Sequence, residues 1–401
     1  MNDIPGDSEV IIIGGGLVGC SMAYYLSREG IDVLLFEMRN IASGASGRNG
    51  GMVVQADGRE IKTIKSKRYM YTRENNRILE NLEEELGFNF EYQQIGSLDI
   101  ACSDLEWEQL TEVTAIQKNL GDNEIQLLDS NETRELCPVL GPVVQGSRYR
   151  PSDGTLNANK LTYAFARAAQ SLGAKIVTYT PVINILIKEN IVKGVSHIYG
   201  ESYAQWVVNA ANAWASELTP QIEIVPCKGS AVVTEPVPRF PALVFEAYPD
   251  GTMIWGSQHE GGNILFGSAP EIGLETMADH YNEKVYFGDI EKTVNRFTSL
   301  FPALAEINVI RTWAGTVAFC ADVLPCLGEI PGVENLIINA GFPVGMSWCP
   351  IMGKLGAELI YRSGETTLPI DMFSPARFSN RSIPWPKRYN YTVLQDFLDR
   401  L

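Results

Sequence analysis

The sequence predicts an α/β part built on a parallel sheet, joined to an α+β part built on an antiparallel sheet. Three observations carry this. The branched apolar run Val10-Ile11-Ile12-Ile13 leads straight into Gly14-Gly15-Gly16-Leu17-Val18-Gly19, with Gly14, Gly16 and Gly19 in G-x-G-x-x-G spacing. An amphipathic stretch from Leu17 to Glu29 reads as a helix, and a second apolar run, Asp32 to Phe36, ends at Glu37. Strand, glycine turn, helix, strand and acid in that order are the fingerprint of a Rossmann-type dinucleotide-binding unit. Third, Val225 to about Ser268 alternates short apolar strands (KGSAVVTEP, ALVFEA, GTMIWGSQH, NILFGSAP) with turn signals. Antiparallel strands that follow α/β units indicate a second domain.

Each fingerprint position has a physical task. Gly14 permits the tight turn, Gly16 lets backbone approach a pyrophosphate, and Gly19 lets helix and strand pack closely. The helix N-terminus offers N–H groups and partial positive charge to phosphates. Glu37 can accept hydrogen bonds from both hydroxyls of an adenosine ribose, which disfavours a 2′-phosphate and so NADP. No second nucleotide-binding motif follows, which disfavours an NAD-only dehydrogenase.

The 401 residues suggest two or three domains. With 45% hydrophobic and 20% charged residues, the composition is that of an ordinary globular chain. A formal net charge of -16 disfavours nucleic acid and anionic membrane as partners, because both require a positive face. The seven cysteines show no C-x-x-C spacing, so neither a disulfide framework nor a metal or iron–sulfur site is expected. No signal peptide and no run of about 18 apolar residues is evident, so a cytoplasmic protein without a membrane span is expected.

Residues 38–51 (MRNIASGASGRNGG) are poor in helix and strand formers and suited to a loop that surrounds a polar or anionic ligand. The fingerprint, Glu37 and this Ser-Gly-Arg-Asn-Gly-Gly loop together resemble the D-amino-acid oxidase superfamily of FAD enzymes, which includes glycine and sarcosine oxidases. The resemblance implies that the loop wraps the diphosphate and the flavin edge. It implies cofactor contacts from Gly14, Gly16, Leu17, Val18, Gly19, Glu37, Met38, Arg39, Ser43, Ala45, Ser46, Gly47, Arg48, Asn49, Gly50 and Gly51.

The remaining elements follow in order. A helix is expected over Arg59–Leu86, its charges read as a solvated face, and a strand over Gln93–Ala101. A helix over Asp104–Leu120 and a short one within Leu127–Val139 precede the Asp153-Gly154 turn. Next come a helix over Asn159–Leu172, a strand after Gly173, and a hairpin from Val182 to His197. Val182 is a further implied cofactor position. Trp206 to Trp214 reads as a hydrophobic strand ending in small residues; the resemblance implies that it returns to the nucleotide-binding sheet, with Ala210, Ala211 and Trp214 near the cofactor. Asn212 stands where the family more commonly has Gly, a mild departure because Asn tolerates a left-handed backbone.

Trp255-Gly256-Ser257-Gln258-His259-Glu260 and its neighbours look like the flavin subunits of multi-subunit amine dehydrogenases, such as dye-linked proline dehydrogenase, opine oxidase and hydrogen cyanide synthase. From Trp313-Ala314-Gly315 to about Tyr361 the chain follows the family's path into the active site. The loop Gly341–Ser347 and the helix carrying Lys354–Ile360 are implied to face the flavin's pyrimidine edge, through Gly341, Val344, Gly345, Met346 and Ser347. The helix dipole there favours negative charge on the reduced ring. The expected FAD-binding part is 1–90, 140–222 and 308–370, the substrate part 91–139 and 223–307, and 371–401 a C-terminal extension. Its Trp385, Tyr389 and Tyr391 suit a partner contact or a packed extension.

The implied chemistry is oxidation of the C–N bond of an amino acid or secondary amine (sarcosine, proline, hydroxyproline or opine-like) by hydride transfer to flavin N5. The chain would be an amine dehydrogenase or oxidase. Arg48, Met346 and Ser347 are the candidate catalytic residues. The usual carboxylate clamps are missing. The family's Arg two residues past Gly315 is Val317 here, and the sarcosine oxidases' Lys falls at Ser347 or Trp348. Either Arg48 or Arg59 takes the role or the substrate is a larger or differently charged secondary amine, and Phe319, Cys320, Met346 and Trp348 would form an apolar wall. The cysteine that carries covalent flavin in monomeric sarcosine oxidase falls at Gly315, so FAD is expected to be non-covalent. His197 and His280 read as structural or solvated and His259 as a turn residue. Alternatives are a stand-alone peroxide-producing oxidase and a flavoprotein without turnover. The implied partners are onward electron carriers (FMN or iron–sulfur subunits) or further copies of the chain.

Overall fold

The computed structural model describes residues 6–54, 68–241, 244–250, 252–268 and 283–379. The strand Asp7–Ile13 sits in the middle of a sheet, parallel to Val33–Phe36 on one side and Gly200–Asn209 on the other. Lys175–Val177 and Leu336–Ala340 extend the parallel core at its two ends. Val10, Ile11 and Ile12 are fully buried. Each contributes about 1.5–3 kcal/mol by leaving water, which explains why a strand covered on both faces reads as an unbroken apolar run. The helices Leu17–Arg28, Ala158–Ser171 and Cys349–Tyr361 cover one face, packing on Ile12, Val33 and Leu35. The Val182–Lys188 and Ile191–His197 strands form the expected hairpin and pair on to the start of Gly200–Asn209.

The second sheet has the strand order Val309–Cys320, Ile224–Pro236, Asn263–Ser268, Ile254–Gln258, Val244–Ala247, Ser97–Ala101, Gly146–Arg150, Gln126–Asp129. Its pairings are antiparallel except between Val244–Ala247 and Ser97–Ala101. The helices Asp104–Asn119 and Ser130–Leu136 and the helix Phe287–Leu300 accompany it. Beneath the Asp104 helix, Arg148 meets Gln117 at 2.7 Å and Asp99 at 3.2 Å, and Arg150 meets Asp122 at 2.6 Å. Buried guanidinium groups are tolerated there because each has an opposing carboxylate.

Several expected elements differ in detail. Gln93–Ala101 is not one strand. Gln93–Gln94 pairs in a small three-stranded sheet with Met52–Val53 and Gly154–Thr155, whereas Ser97–Ala101 belongs to the second large sheet. The break falls at Gly96, whose φ of 77° turns the chain where a Cβ would lie 2.3 Å from the Tyr149 ring. Gly146–Arg150 and Val309–Cys320, expected with the nucleotide-binding part, pair in the second sheet. Both sit antiparallel to strands of that sheet, so the chain leaves it after Arg150 and after Cys320 rather than at 140 and 308. The described part of the tail is packed, with Phe373 fully buried in the core of the first sheet. The second helix is described from Arg68 onward, so its expected start at Arg59 lies outside the described residues, as do His280, Trp385, Tyr389 and Tyr391. No helix among the described residues is long and apolar enough to cross a membrane.

Candidate active site

The carboxyl ends of the parallel strands converge on the glycine turn. Gly14 leaves the strand with φ 114°, and its N–H donates to the Phe36 carbonyl at 2.8 Å. A Cβ on Gly19 would lie 2.0 Å from the Gly14 carbonyl oxygen, so helix and turn touch as the fingerprint requires. The helix Leu17–Arg28 begins at Gly16, which has no side chain of its own to cap the helix N–H groups. Glu37 is held by two backbone donors: Gly15 N–H reaches Oε2 at 2.7 Å and Arg39 N–H reaches Oε1 at 2.8 Å. Each oxygen keeps a lone pair for a further donor, the capacity a ribose diol needs. These features fit an adenine dinucleotide.

The 38–51 loop is held open from within. Ser46 Oγ accepts from Leu17 N–H at 2.8 Å, tying the loop to the start of the helix. Asn49 donates to the carbonyls of Ala45 (2.9 Å) and Ser46 (3.0 Å), and its Oδ1 accepts from Gly51 N–H at 2.8 Å. Its amide is thus spent on loop shape. Ser43 Oγ likewise accepts from Asn40 N–H at 3.1 Å. Gly47 takes the Asn159 amide on its carbonyl at 3.2 Å, and Gly50 lies against Trp255, which leaves no room for a Cβ.

Arg48 is more committed than a free substrate clamp would be. Its Nη1 lies 2.5 Å from the Ser43 carbonyl and 2.7 Å from Glu283 Oε1, and its Nη2 donates to Glu283 Oε2 at 2.8 Å. Arg39 shares the same carboxylate at 3.0 Å, with its guanidinium 5.6 Å from the Trp214 ring. The Arg48 carbonyl accepts from Trp313 Nε1 at 2.8 Å. That bond docks the Trp313-Ala314-Gly315 strand of the second sheet on the loop, where Gly315 faces the Arg48 stem.

The strand then alternates. Val317 and Phe319 share one cluster with Val225, Cys227 and Val323, while Ala318 and Cys320 turn the other way, against Ile224 and the first sheet. Cys320 therefore leaves the expected apolar wall, because neighbouring residues on a strand face opposite sides. Trp348 is also withdrawn: its ring packs on Tyr71 and Phe373 in the core.

The 341–347 loop is pinned at both ends by amides distant in sequence. Asn212 Oδ1 accepts from Gly341 N–H at 2.9 Å and Phe342 N–H at 3.0 Å. Asn75, fully buried on the Arg68–Leu86 helix, donates to the Met346 carbonyl at 3.0 Å and accepts from Ile351 N–H at 3.3 Å. Ser347 Oγ donates to the Val54 carbonyl, so its hydroxyl also serves the loop. Gly345–Ser347 forms a single tight turn, and the helix proper starts at Cys349 after Trp348. Ala210 and Ala211 border the same seam, with Ala210 N–H on the Ile13 carbonyl at 2.9 Å. Val182 opens the hairpin beside His197.

Sequence reasoning passed over Asn75 and Glu283. Neither sits in a motif, and their partners lie 271 and 235 residues away. Of the histidines, His197 packs at a tilt against Phe36, ring centroids 4.9 Å apart, and is buried. His259 is 3.4 Å from Ser257 Oγ and lies close to Gly51. Burial lowers its pKa, opposed by its bond to the Gly50 backbone and by Glu91, and favours the neutral ring.

Comparison with known proteins agrees with this geometry. The family model described as "DAO: FAD dependent oxidoreductase" matches residues 9–359. Glycine oxidase of Geobacillus kaustophilus is 28% identical over 92% of this chain and 97% of that protein. Mitochondrial dimethylglycine dehydrogenase of Mus musculus is 26% identical over 92% of this chain, which spans 44% of that protein's length. The crystal structure of L-proline dehydrogenase from P. horikoshii superposes with a TM-score of 0.85 at 30% identity, covering 94% of this chain and 98% of that one. The chain belongs to the DAO family and is an FAD-dependent oxidoreductase.

Proposed function

We propose that this enzyme oxidises the C–N bond of an N-substituted or cyclic amino acid, with FAD held non-covalently at the carboxyl ends of the first sheet. Bound FAD supplies the two-electron acceptor that protein side chains lack. Glu37 holds the adenosine ribose, and the helix end at Gly16 binds the diphosphate. Loop residues 43–51 bind through backbone groups, since the side chains of Ser43, Ser46 and Asn49 already hold the loop's own shape. The turn at Gly341–Ser347, pinned by Asn212 and Asn75, keeps the N-terminus of the Cys349–Tyr361 helix in one place, where its dipole favours negative charge. Arg48, neutralised by Glu283, sets the local field beside the loop and leaves the substrate carboxylate to another group.

The observation that carries the substrate class is Val317. It lies on the Gly315 strand two residues past the docking point with the cofactor loop, inside the Val225–Cys227–Phe319 cluster. Such a wall accepts the carbons of a ring or an N-alkyl group, which glycine lacks. The resemblance to proline dehydrogenase, in sequence and in fold, supports a dehydrogenase, and the likeness to hydrogen cyanide synthase subunit HcnC and sarcosine oxidase subunit beta supports a partner subunit. A stand-alone oxidase is the second reading. It is favoured by the match to glycine oxidase along nearly the whole of both chains.

Anaerobic titration of the purified yellow protein with proline, hydroxyproline, sarcosine, glycine and opines tests the proposal. Bleaching by a secondary amine at lower concentration than by glycine is expected. Bleaching by none of them would overturn it. With the best substrate, peroxide release as fast as dye reduction would favour the oxidase.

A further inference from the structure

Cys320 ends the long strand of the second sheet, and Cys326 begins the Cys326–Glu329 strand of the first. Between them lies a closed turn, with Val323 N–H on the Cys320 carbonyl at 2.9 Å. The two Sγ atoms are 3.8 Å apart, and both residues are almost wholly buried. A guanidinium accompanies them. Arg377 Nη1 reaches Cys326 Sγ at 3.3 Å, while its Nε and Nη2 grip Asp322 at 2.8 and 3.2 Å. Arg377 also donates to the carbonyls of Phe373 (2.6 Å) and Leu324 (2.9 Å), so the cation is fixed rather than mobile.

A structural pair of buried thiols needs no charge beside it, and burying a guanidinium is costly. Here the cation makes Cys326 the more acidic thiol. Burial opposes its ionisation, but the hydrogen bond from Cys320 and the charge of Arg377 bring it below the ordinary thiol range. Cys320 moves the other way, raised by its hydrogen bond to Cys326 and by burial. One thiol disposed to act as nucleophile in contact with one that stays protonated is the arrangement of an attacking and a resolving cysteine.

We propose that Cys320 and Cys326 form a peroxide-oxidisable dithiol that reversibly staples the two sheets together at their crossover. The Cys326 thiolate attacks one oxygen of hydrogen peroxide; an S–O bond forms, the O–O bond breaks, and the leaving hydroxide takes up a proton as water. Cys320 sulfur then attacks the sulfenic sulfur of Cys326. The S–S bond forms, the S–O bond breaks, and the departing hydroxide takes the Cys320 proton as a second water. Two thiols and one peroxide give one disulfide and two waters. Gly341 is the neighbour that feels the change, since a Cβ there would lie 2.6 Å from Cys320 Sγ.

The test uses the flavin-loaded protein. Excess hydrogen peroxide is added, the reaction is quenched in acid, and free thiols are alkylated. Cleavage before Asp322 then separates the two cysteines unless a disulfide joins their peptides. A linked pair that dithiothreitol separates is expected, with the titratable thiol count falling by two. Full alkylation of both residues after peroxide, or linkage only when the protein is unfolded first, would overturn the proposal. Cys326→Ser should abolish the linked pair. If that variant fails to fold, the mass-spectrometric result on the unaltered protein still decides the matter.

Discussion

One oxygen of Asn212 binds the backbone N–H of Gly341 and that of the next residue, across 129 positions of sequence. It thereby joins the end of a central parallel strand to the loop that leads into the last helix. Asn212 itself stands at φ 46°, a conformation most side chains resist. Glycine would relieve the strain but lose both hydrogen bonds; alanine would lose the bonds and keep the strain. Asn212→Ala should therefore cost about 1–3 kcal/mol for the lost bonds, and Asn212→Gly less, because glycine sheds about 1–2 kcal/mol of left-handed strain. The expected order of thermal stability is Asn212, then Gly, then Ala, with flavin retention in the same order. A Gly variant less stable than the Ala variant would contradict it.

Gly19→Ala places a methyl 2.0 Å from the Gly14 carbonyl oxygen, which belongs to backbone and cannot rotate aside. Overpacking of this kind costs about 1–3 kcal/mol. Because the strained turn is the one proposed to meet the diphosphate, flavin retention should fall about tenfold or more. The flavin-to-protein absorbance ratio after gel filtration measures this. Gly288→Ala, where nothing lies within 4 Å and the backbone is helical, provides a control for glycine replacement elsewhere.

Val317→Arg introduces a guanidinium into the Val225–Cys227–Phe319 cluster. Without a ligand its charge is costly there, and the melting temperature should fall. A small amino-acid carboxylate would then find a charge-assisted partner worth about 1.5–3 kcal/mol. The KM for glycine should drop about tenfold or more, while oxidation of larger secondary amines is impaired. Steady-state kinetics on glycine and proline decide it; an unchanged preference would mean that Val317 does not face the substrate.

His197 and His259 both have their pKa lowered by burial. The unfolded chain takes up protons near the ordinary value of 6.5, whereas the folded protein resists doing so until lower pH. Stability from both is therefore present above that value and lost as pH falls through it. Melting temperature should decline from neutral pH toward pH values near 5.5, and His259→Asn should flatten the decline. A profile identical in the two proteins would remove His259 from the account.

Gly315 offers no nucleophile to the flavin, and the proposed attachment is wholly non-covalent. Precipitation of the holoprotein with acid should release the yellow colour into the supernatant. Colour that stays with the pellet would refute this.

The fingerprint was legible because its causes are local. A strand buried on both faces must be apolar throughout, and a turn that passes a helix at contact distance must be glycine; both facts leave a mark at fixed spacing. The second sheet was legible as alternation, but not its membership. Gly146–Arg150 and Val309–Cys320 carry strand signals that do not say which sheet will accept them, and the break at Gly96 reflects a tyrosine far along the chain.

What the sequence by itself determined was the class of fold, the cofactor family and the apolar side chain at Val317. These depend on residue type at short range, where propensity, steric limits and hydrogen-bonding capacity act directly. Only the tertiary structure decided that Arg48 is held by Glu283, that Cys320 turns from the apolar wall toward Cys326, and that Asn75 and Asn212 support the 341–347 loop. Those pairings join residues brought together by the packing of two sheets. The energy of such contacts is realised only once topology has fixed which strands are neighbours.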